Sequence, residues 1–444
     1  MRMVRARVIG VADRDILRLA VPAMLALAAD PLLSLVDTAL VGRLGPVPLA
    51  ALGIDTAVFT MVFFGFNFLA YGTTAAVARR RGAGDPAGAA RYAVQALWLA
   101  IGLGAVTGAV LLAAGPWIVR AMGAAPDVVD PAVTYLRLRA IGTIAVLIVQ
   151  VGHGTFRGLQ DTRTPLAITV VANVANGVLS WVLIYPLGWG IAGAATGTVV
   201  AEVVSAAAFL VLGRRALGDA GLRVDPSTMR EIVAVSRDLF LRTASLLSGL
   251  LITTAIAARM GTVTVASHQI ARELWTMLAL VLDGFAIAAQ ALIATALGRG
   301  DAQGAMATSR RVVWWGLVAG VVIGALYLPL GGVGPRLFTN DVTVIATVGA
   351  VWPIVAALQP VGGVVFVLDG VLMGAGDFRF LLWSTAAAAL LALVPVGLAA
   401  LWLGWGLTGV WAGMGAMMAV RLGTTLWRWR SGGWTAVATA PGAR

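Results

Sequence analysis

The chain contains no cysteine, no lysine and only two histidines. Without cysteine there can be no disulfide bond, thiolate nucleophile, iron–sulfur cluster or thiolate zinc site. Two histidines leave few ligands for a metal, so we expect no bound metal and no organic cofactor. Charged residues are also scarce, at 12% against about 25% in globular domains, whereas 60% of residues are apolar. This composition excludes a soluble protein.

Long apolar runs fill most of the chain and indicate a polytopic helical membrane protein. The mean hydropathy is +0.92 over 444 residues, and successive apolar stretches approach the ~20 residues that an α-helix needs to cross a bilayer. Glycine, proline and charged residues divide them into twelve predicted spans. These begin near residues 16, 51, 91, 133, 165, 190, 236, 266, 311, 343, 379 and 405. The predicted fold class is all-α, with twelve transmembrane helices.

The basic residues predict how the chain is oriented. All 32 are arginines, and only Arg43, Arg120, Arg259 and Arg336 fall in loops opposite the side that holds the N-terminus. Because positive loops face the cytoplasm, we expect both termini there, in a multi-pass protein of the inner (cytoplasmic) membrane. The net charge of +12 is explained by the arginines in these loops, so we expect no nucleic-acid partner.

An internal repeat relates the two halves of the chain at a constant offset of 216 residues. The matching landmarks are Arg43-Leu44-Gly45 with Arg259-Met260-Gly261, Thr60-Met61 with Thr276-Met277, Gly84-Asp85 with Gly300-Asp301, Asp161 with Asp377, and Leu187-Gly188-Trp189-Gly190 with Leu403-Gly404-Trp405-Gly406. Six spans separate the copies, so both halves cross the membrane in the same direction. This predicts two six-helix bundles related by a pseudo-twofold axis along the membrane normal. We assign 1–215 to the N-terminal bundle, 216–235 to a cytoplasmic linker and 236–444 to the C-terminal bundle.

Polar side chains inside the first bundle predict a cation or proton site. A carboxylate in mid-span costs about 2.5–3.5 kcal/mol on insertion scales, so it is rarely placed there without a partner or a task. The candidates are Asp37 and Asp30 on one face of the first span, Asn173, Asn176 and Ser180 on the fifth, and Thr198 on the sixth. At the repeat offset Asp37 faces Thr253 and Asn176 faces Ala392, so the cluster belongs to the first half only. The alternative is that these groups only hold helices together.

The second bundle has its own ionisable residues, on other spans. Asp283 and Asp369 lie in apolar segments, and Arg242 on the seventh span is a candidate counter-ion. Structural ion pairing is one interpretation, and a second polar site is the other. There is no Walker lysine and no nucleophile–histidine–acid order in a loop. We therefore expect a protein that is not an enzyme and does not hydrolyse ATP.

These residues resemble the MATE family of multidrug and toxic compound extrusion transporters, in its DinF-like branch. The similarity is carried by Val36-Asp37-Thr38, by Leu282-Asp283-Gly284-Phe285-Ala286, and by Asp369-Gly370-Val371-Leu372-Met373-Gly374-Ala375-Gly376-Asp377. It implies a secondary antiporter that exports amphipathic, often cationic, compounds by alternating access. It also implies that Asp37 binds the coupling ion together with Asn176 and Thr198, and that Pro22 is the hinge of the first helix.

One position departs from the family pattern. Relatives commonly carry an aspartate four residues after the asparagine of the fifth helix, where this chain has Ser180. A lone carboxylate among amide and hydroxyl groups can still bind a proton, and Asp30 is a candidate substitute for the missing one. The glutamate of the seventh helix in the sodium-coupled branch is absent too, and Arg242 and its neighbours stand there instead. This favours protons, with sodium as the alternative coupling ion.

The sequence features are also compared with two other functions. A lipid-linked precursor flippase has the same general architecture but usually carries extra helices and a more cationic cavity. A membrane-embedded transferase would need clustered acids or histidines in a loop, and none are present. We expect a monomer whose partners are the lipid bilayer and small amphipathic substrates.

Overall fold

The computed structural model describes residues 11–218 and 220–437, and within these ranges the chain is helical with no β-strand. The first eight helices are α1 (Val11–Gly42), α2 (Pro46–Gly65), α3 (Phe68–Gly82), α4 (Pro86–Ala121), α5 (Pro126–Ile141), α6 (Thr143–Gly158), α7 (Arg163–Ile184) and α8 (Gly190–Leu217). The others are α9 (Pro226–Arg259), α10 (Thr262–Gly298), α11 (Ala302–Tyr327), α12 (Val342–Ala375), α13 (Phe378–Ala388), α14 (Val394–Trp402), α15 (Gly406–Arg430) and α16 (Gly433–Val437).

The helices follow the predicted spans. Among the described residues, ten helices are long and apolar enough to cross a membrane, and the α5/α6 pair, bent by 50°, raises the number to eleven. The remaining predicted span is α15, whose 25 residues correspond to about 37 Å of helix. Three predicted spans are interrupted. The α2/α3 span breaks near Phe66, α5/α6 breaks at Gly142, and a π-helical turn joins α13 to α14.

The local structure repeats at the offset found in the sequence. Gly84 and Gly300 have φ values of 75° and 76°, which glycine adopts without strain. The next residue in each half caps the following helix: Asp85 accepts a hydrogen bond from the backbone NH of Gly88, and Asp301 accepts one from that of Gly304. Equivalent turns therefore start equivalent helices in the two halves.

The chain divides into two compact units. One is Leu25–Ser236, and the other combines the start of α1, up to Met24, with the chain from Arg237 onward. The start of α1 packs in the second unit because Asp13 pairs with Arg311, at 2.5 Å, and accepts a hydrogen bond from Trp315. The predicted domain boundaries, at 215 and 236, instead assigned the whole first span to the N-terminal bundle.

The connection between α8 and α9 is shorter than the predicted linker, 216–235. Helix α8 continues to Leu217 and α9 already begins at Pro226. The connection is anchored within the first unit, since the Gln95 side chain donates a hydrogen bond to the backbone oxygen of Arg223 and accepts one from the NH of Asp225.

Glycines allow helices of the second unit to approach closely. A Cβ on Gly370 of α12 would lie 2.2 Å from the backbone oxygen of Ala286 in α10, and one on Gly363 would lie 2.1 Å from that of Gly316 in α11. Helices α10 and α12 are thus packed backbone to backbone, as small residues permit in membrane proteins.

Candidate functional site

Part of the predicted polar cluster forms in the first unit. The Asn176 side-chain amide lies 3.5 Å from the Asp37 carboxylate, and the Ser180 hydroxyl donates to the Asn176 oxygen over 2.9 Å. Asn176 and Ser180 are fully buried, whereas Asp37 is partly exposed. The chain of contacts orients the amide so that its NH₂ group faces the carboxylate. The second Asp37 oxygen, Oδ1, is buried and accepts no hydrogen bond from within residues 11–218 and 220–437.

The other predicted members lie apart from this contact. The Thr198 hydroxyl donates to the backbone oxygen of Ala194, and the Asn173 amide donates to that of Ala29. The side chain of Asp30 lies outside the part of the chain that the structure describes. Pro22 lies within α1, two residues before the point at which this helix divides between the units. The hinge stays a prediction.

An apolar cluster positions the helices around the site. Val41 of α1, Leu52 of α2, Tyr135 of α5 and Ile184 of α7 are all buried in it, together with Ala194 of α8. Five helices that are distant in sequence therefore converge beside Asp37, because burying these side chains against each other replaces contacts with lipid by close packing.

Two acids and a base that the sequence did not assign to the site belong to the same region. Asp55 of α2 is fully buried. Arg139 of α5 forms a 2.6 Å ion pair with Glu202 of α8, and its guanidinium lies 5.1 Å from the centre of the Phe59 ring. The charge of Arg139 also acts on both Asp37 and Asp55.

The internal repeat contains the information needed to identify Asp55 from the sequence. Residue 55 corresponds to Ala271 at the offset of 216, so Asp55 is another polar residue present only in the first half. The same comparison had singled out Asn176 against Ala392.

The second unit contains a compact ionic cluster. Asp369 of α12 accepts a 2.5 Å hydrogen bond from Arg242 of α9 and another from Arg421 of α15. The charge of Asp283 also acts on Arg421. Both Asp369 and Arg421 are at most 3% exposed. The predicted pairing of Asp369 with Arg242 forms, but Arg421, near the C-terminal end, was missed as its second partner.

Helices α7 and α8 also border an apolar cavity of about 260 Å³. Its walls are small or aliphatic side chains, including Ile168, Val171, Leu179 and Val204. The same two helices carry Asn176 and Thr198, so an apolar surface lies on the helices that carry the polar site.

Comparison with known proteins identifies relatives along the whole chain. The MatE family model matches twice, at residues 22–182 and 239–399, and its two starting points differ by 217 residues, within one of the offset in the sequence. Protein DETOXIFICATION 44, chloroplastic, of Arabidopsis thaliana is 35% identical over 98% of this chain and 85% of its own length. DNA damage-inducible protein F of Escherichia coli is 30% identical over 96% of this chain and 94% of its own.

Solved structures show the same architecture. The crystal structure of a MATE protein in the bent conformation superposes with a TM-score of 0.89 and 25% identity, covering 97% of this chain and 98% of that one. The predicted fold class, twelve helices in two bundles, is confirmed.

Proposed function

The chain belongs to the MATE family of transporters, and from this premise we propose that it is a proton-coupled antiporter that exports amphipathic organic cations. One observation carries the coupling: Asp37, a carboxylate within a spanning helix, has one oxygen facing the Asn176 amide and a buried second oxygen with no hydrogen-bond partner in the described part of the chain. An ionised carboxylate in that setting is costly. Binding a proton removes the charge.

The surroundings of Asp37 support alternating use of the site. Asp37 is partly exposed while its partner Asn176 is buried, so the carboxylate can exchange protons with water that reaches α1. Release of the proton restores a negative charge, which attracts a cationic substrate. The two ligands then compete for one charge, and exchange follows from that competition.

The cavity between α7 and α8 supports an amphipathic substrate. Its aliphatic walls can accept apolar groups of varied shape, while the Asp37 carboxylate provides the attraction for positive charge. We also propose that the protein lies in the inner membrane with both termini in the cytoplasm; the excess of arginines in the loops on one side supports this orientation.

Inverted membrane vesicles test the proposal with ethidium as an amphipathic cation. We expect ethidium to accumulate in vesicles containing the protein when the interior is made acidic, and not when only an outward sodium gradient is imposed. Asp37→Asn keeps the shape of the side chain but removes the titrating group, so accumulation should fall to the level of vesicles that lack the protein.

The matched control is Asp130→Asn, which makes the same change at an exposed carboxylate near the start of α5 and should leave accumulation unchanged. Accumulation driven by sodium alone would replace the proton with sodium in the proposal. Wild-type accumulation in Asp37→Asn vesicles would contradict the role of Asp37.

A further inference from the structure

Asp55 lies deep in an apolar part of the first unit. Nine residues separate it from Pro46 at the start of α2, which corresponds to about 14 Å of helix, or nearly half of the hydrocarbon thickness. Ala51 and Phe59, one turn before and one turn after, are buried with Asp55, at 0% and 4% exposed. Both belong to an apolar cluster that α2 forms with α5. Neither Asp55 oxygen accepts a hydrogen bond from any residue that the structure describes.

The charges around Asp55 do not balance. Among the described residues, the ionisable groups that interact electrostatically with Asp55 or with its neighbour Arg139 are Asp37 of α1, Tyr135 and Arg139 itself on α5, and Glu202 of α8. Arg139 is the one cation among them, and its closest acidic partner is Glu202, at 2.6 Å. One guanidinium can neutralise one carboxylate, so Asp37 and Asp55 would carry uncompensated negative charge if both were ionised.

The ionic cluster of the second unit shows the contrast. There the interactions seen among the described residues join two acids, Asp369 and Asp283, to two bases, Arg242 and Arg421, so these four charges balance without taking up a proton. In the first unit the corresponding group has three acids, Asp37, Asp55 and Glu202, and one base, Arg139. Burying excess charge in a low dielectric is costly, and a carboxyl group in that position becomes neutral by binding a proton.

We propose that Asp55 is a second proton-binding carboxylate of the first bundle, supplying from α2 the acid that position 180 lacks. A carboxylate oxygen of Asp55 takes a proton from water on the outer side, carries it as a neutral carboxyl group, and releases it to water on the cytoplasmic side. Together with Asp37, this moves two protons inward for each substrate exported. For a singly charged substrate, one net positive charge moves inward per cycle.

The chemistry of Asp55 favours a proton over a metal ion. Hard cations such as Ca²⁺ and Mg²⁺ need six or more oxygen ligands arranged around them. Among the described residues no group forms a hydrogen bond with the Asp55 oxygens, and the side chains of Ala51 and Phe59 on the same face of α2 have no oxygen ligand to offer. A proton needs only the carboxylate itself.

Infrared difference spectroscopy of the purified full-length protein tests proton binding directly, without any substrate. When the pH is raised, the carbonyl band of each protonated carboxyl group disappears. We expect wild-type protein to lose two such bands from buried groups, with one absent from Asp37→Asn and the other absent from Asp55→Asn. Asp55→Glu keeps a titrating group and should show its band at a shifted position.

Asp130→Asn is the matched control, since its exposed carboxylate should leave both buried bands in place. If Asp55→Asn fails to elute as a monodisperse protein, the shifted band of Asp55→Glu decides the assignment. A spectrum of Asp55→Asn or Asp55→Glu identical to that of wild type would overturn the proposal.

A second experiment measures the number of protons moved per transport cycle. This part of the proposal rests on the proposed function. In proteoliposomes with the membrane potential held at zero, a tenfold proton gradient should balance an ethidium gradient of about a hundredfold for two protons and about tenfold for one. We expect the first value for wild type and the second for Asp55→Asn. An unchanged ratio in Asp55→Asn would overturn the transport role of Asp55. Ethidium transport absent from wild type, with the Asp55 band present, would contradict the proposed function and not proton binding by Asp55.

Discussion

Replacing Asp369 with asparagine should strongly destabilise the second unit. Asp369 is 3% exposed and bridges Arg242 and Arg421, of which Arg421 is 2% exposed. Asp369→Asn keeps the volume but removes the carboxylate that Arg242 and Arg421 share, while the charge of Asp283 still acts on Arg421. Breaking a buried ion pair by removing one partner costs about 3–5 kcal/mol. For a unit of roughly 200 residues, this corresponds to a fall in melting temperature of roughly 6–20 °C.

The assay is thermal unfolding of the detergent-solubilised protein, followed by the loss of monodisperse protein after heating. Asp238→Asn is the control, because Asp238 pairs with the exposed Arg237 on the same helix. Exposed pairs contribute at most about 1 kcal/mol, so Asp238→Asn should melt close to wild type.

A double variant separates charge balance from other effects. Adding Arg421→Met to Asp369→Asn leaves one buried base, Arg242, and one acid, Asp283, and should recover part of the lost stability. If Asp369→Asn melts within a degree or two of Asp238→Asn, or if the second substitution lowers the melting temperature further, charge balance in this cluster is not what stabilises the unit.

Two further predictions concern packing and capping. Gly370→Ala would place a Cβ 2.2 Å from the Ala286 oxygen. It should cost about 1–3 kcal/mol in the same unfolding assay, whereas Gly349→Ala, with nothing within 4 Å, should not. Hydrogen bonds from the Thr228 and Ser227 hydroxyls hold the pKa of Asp225 well below its usual value. The stabilisation is therefore present at neutral pH and is lost only as the pH falls below the usual carboxyl range. We expect Asp225→Ala to speed amide hydrogen exchange at the start of α9 at neutral pH, with a difference that shrinks in strong acid. An equal difference at both pH values, or none, would contradict this account.

The amino-acid sequence was sufficient to predict the membrane architecture. The length of an apolar run and the position of the glycines and charged residues that end it are local properties, and the bilayer fixes the length that is needed. The predicted spans therefore matched the helices to within about ten residues. The repeat was also visible, because equivalent turns such as Gly84-Asp85 and Gly300-Asp301 have the same backbone requirements and the same capping chemistry.

The sequence also singled out Asp37 and Asn176, because a polar group in an apolar span stands out and the repeat showed that the other half lacks it. A single position, however, carries no information about distance to its partners. The structure brought Asn176 to Asp37 and Ser180 to Asn176, but it bonded Thr198 and Asn173 to nearby backbone oxygens instead.

Which charges are balanced depends on how the helices pack and could not be predicted from the sequence. Arg139 and Glu202 are 63 residues apart and Arg421 and Asp369 are 52 apart, so no local pattern pairs them. Helix packing places two bases with two acids in the second unit and one base with three acids in the first. The energetic cost of an uncompensated buried charge depends on that count within a few ångströms, which is a property of the fold and not of any segment of the chain.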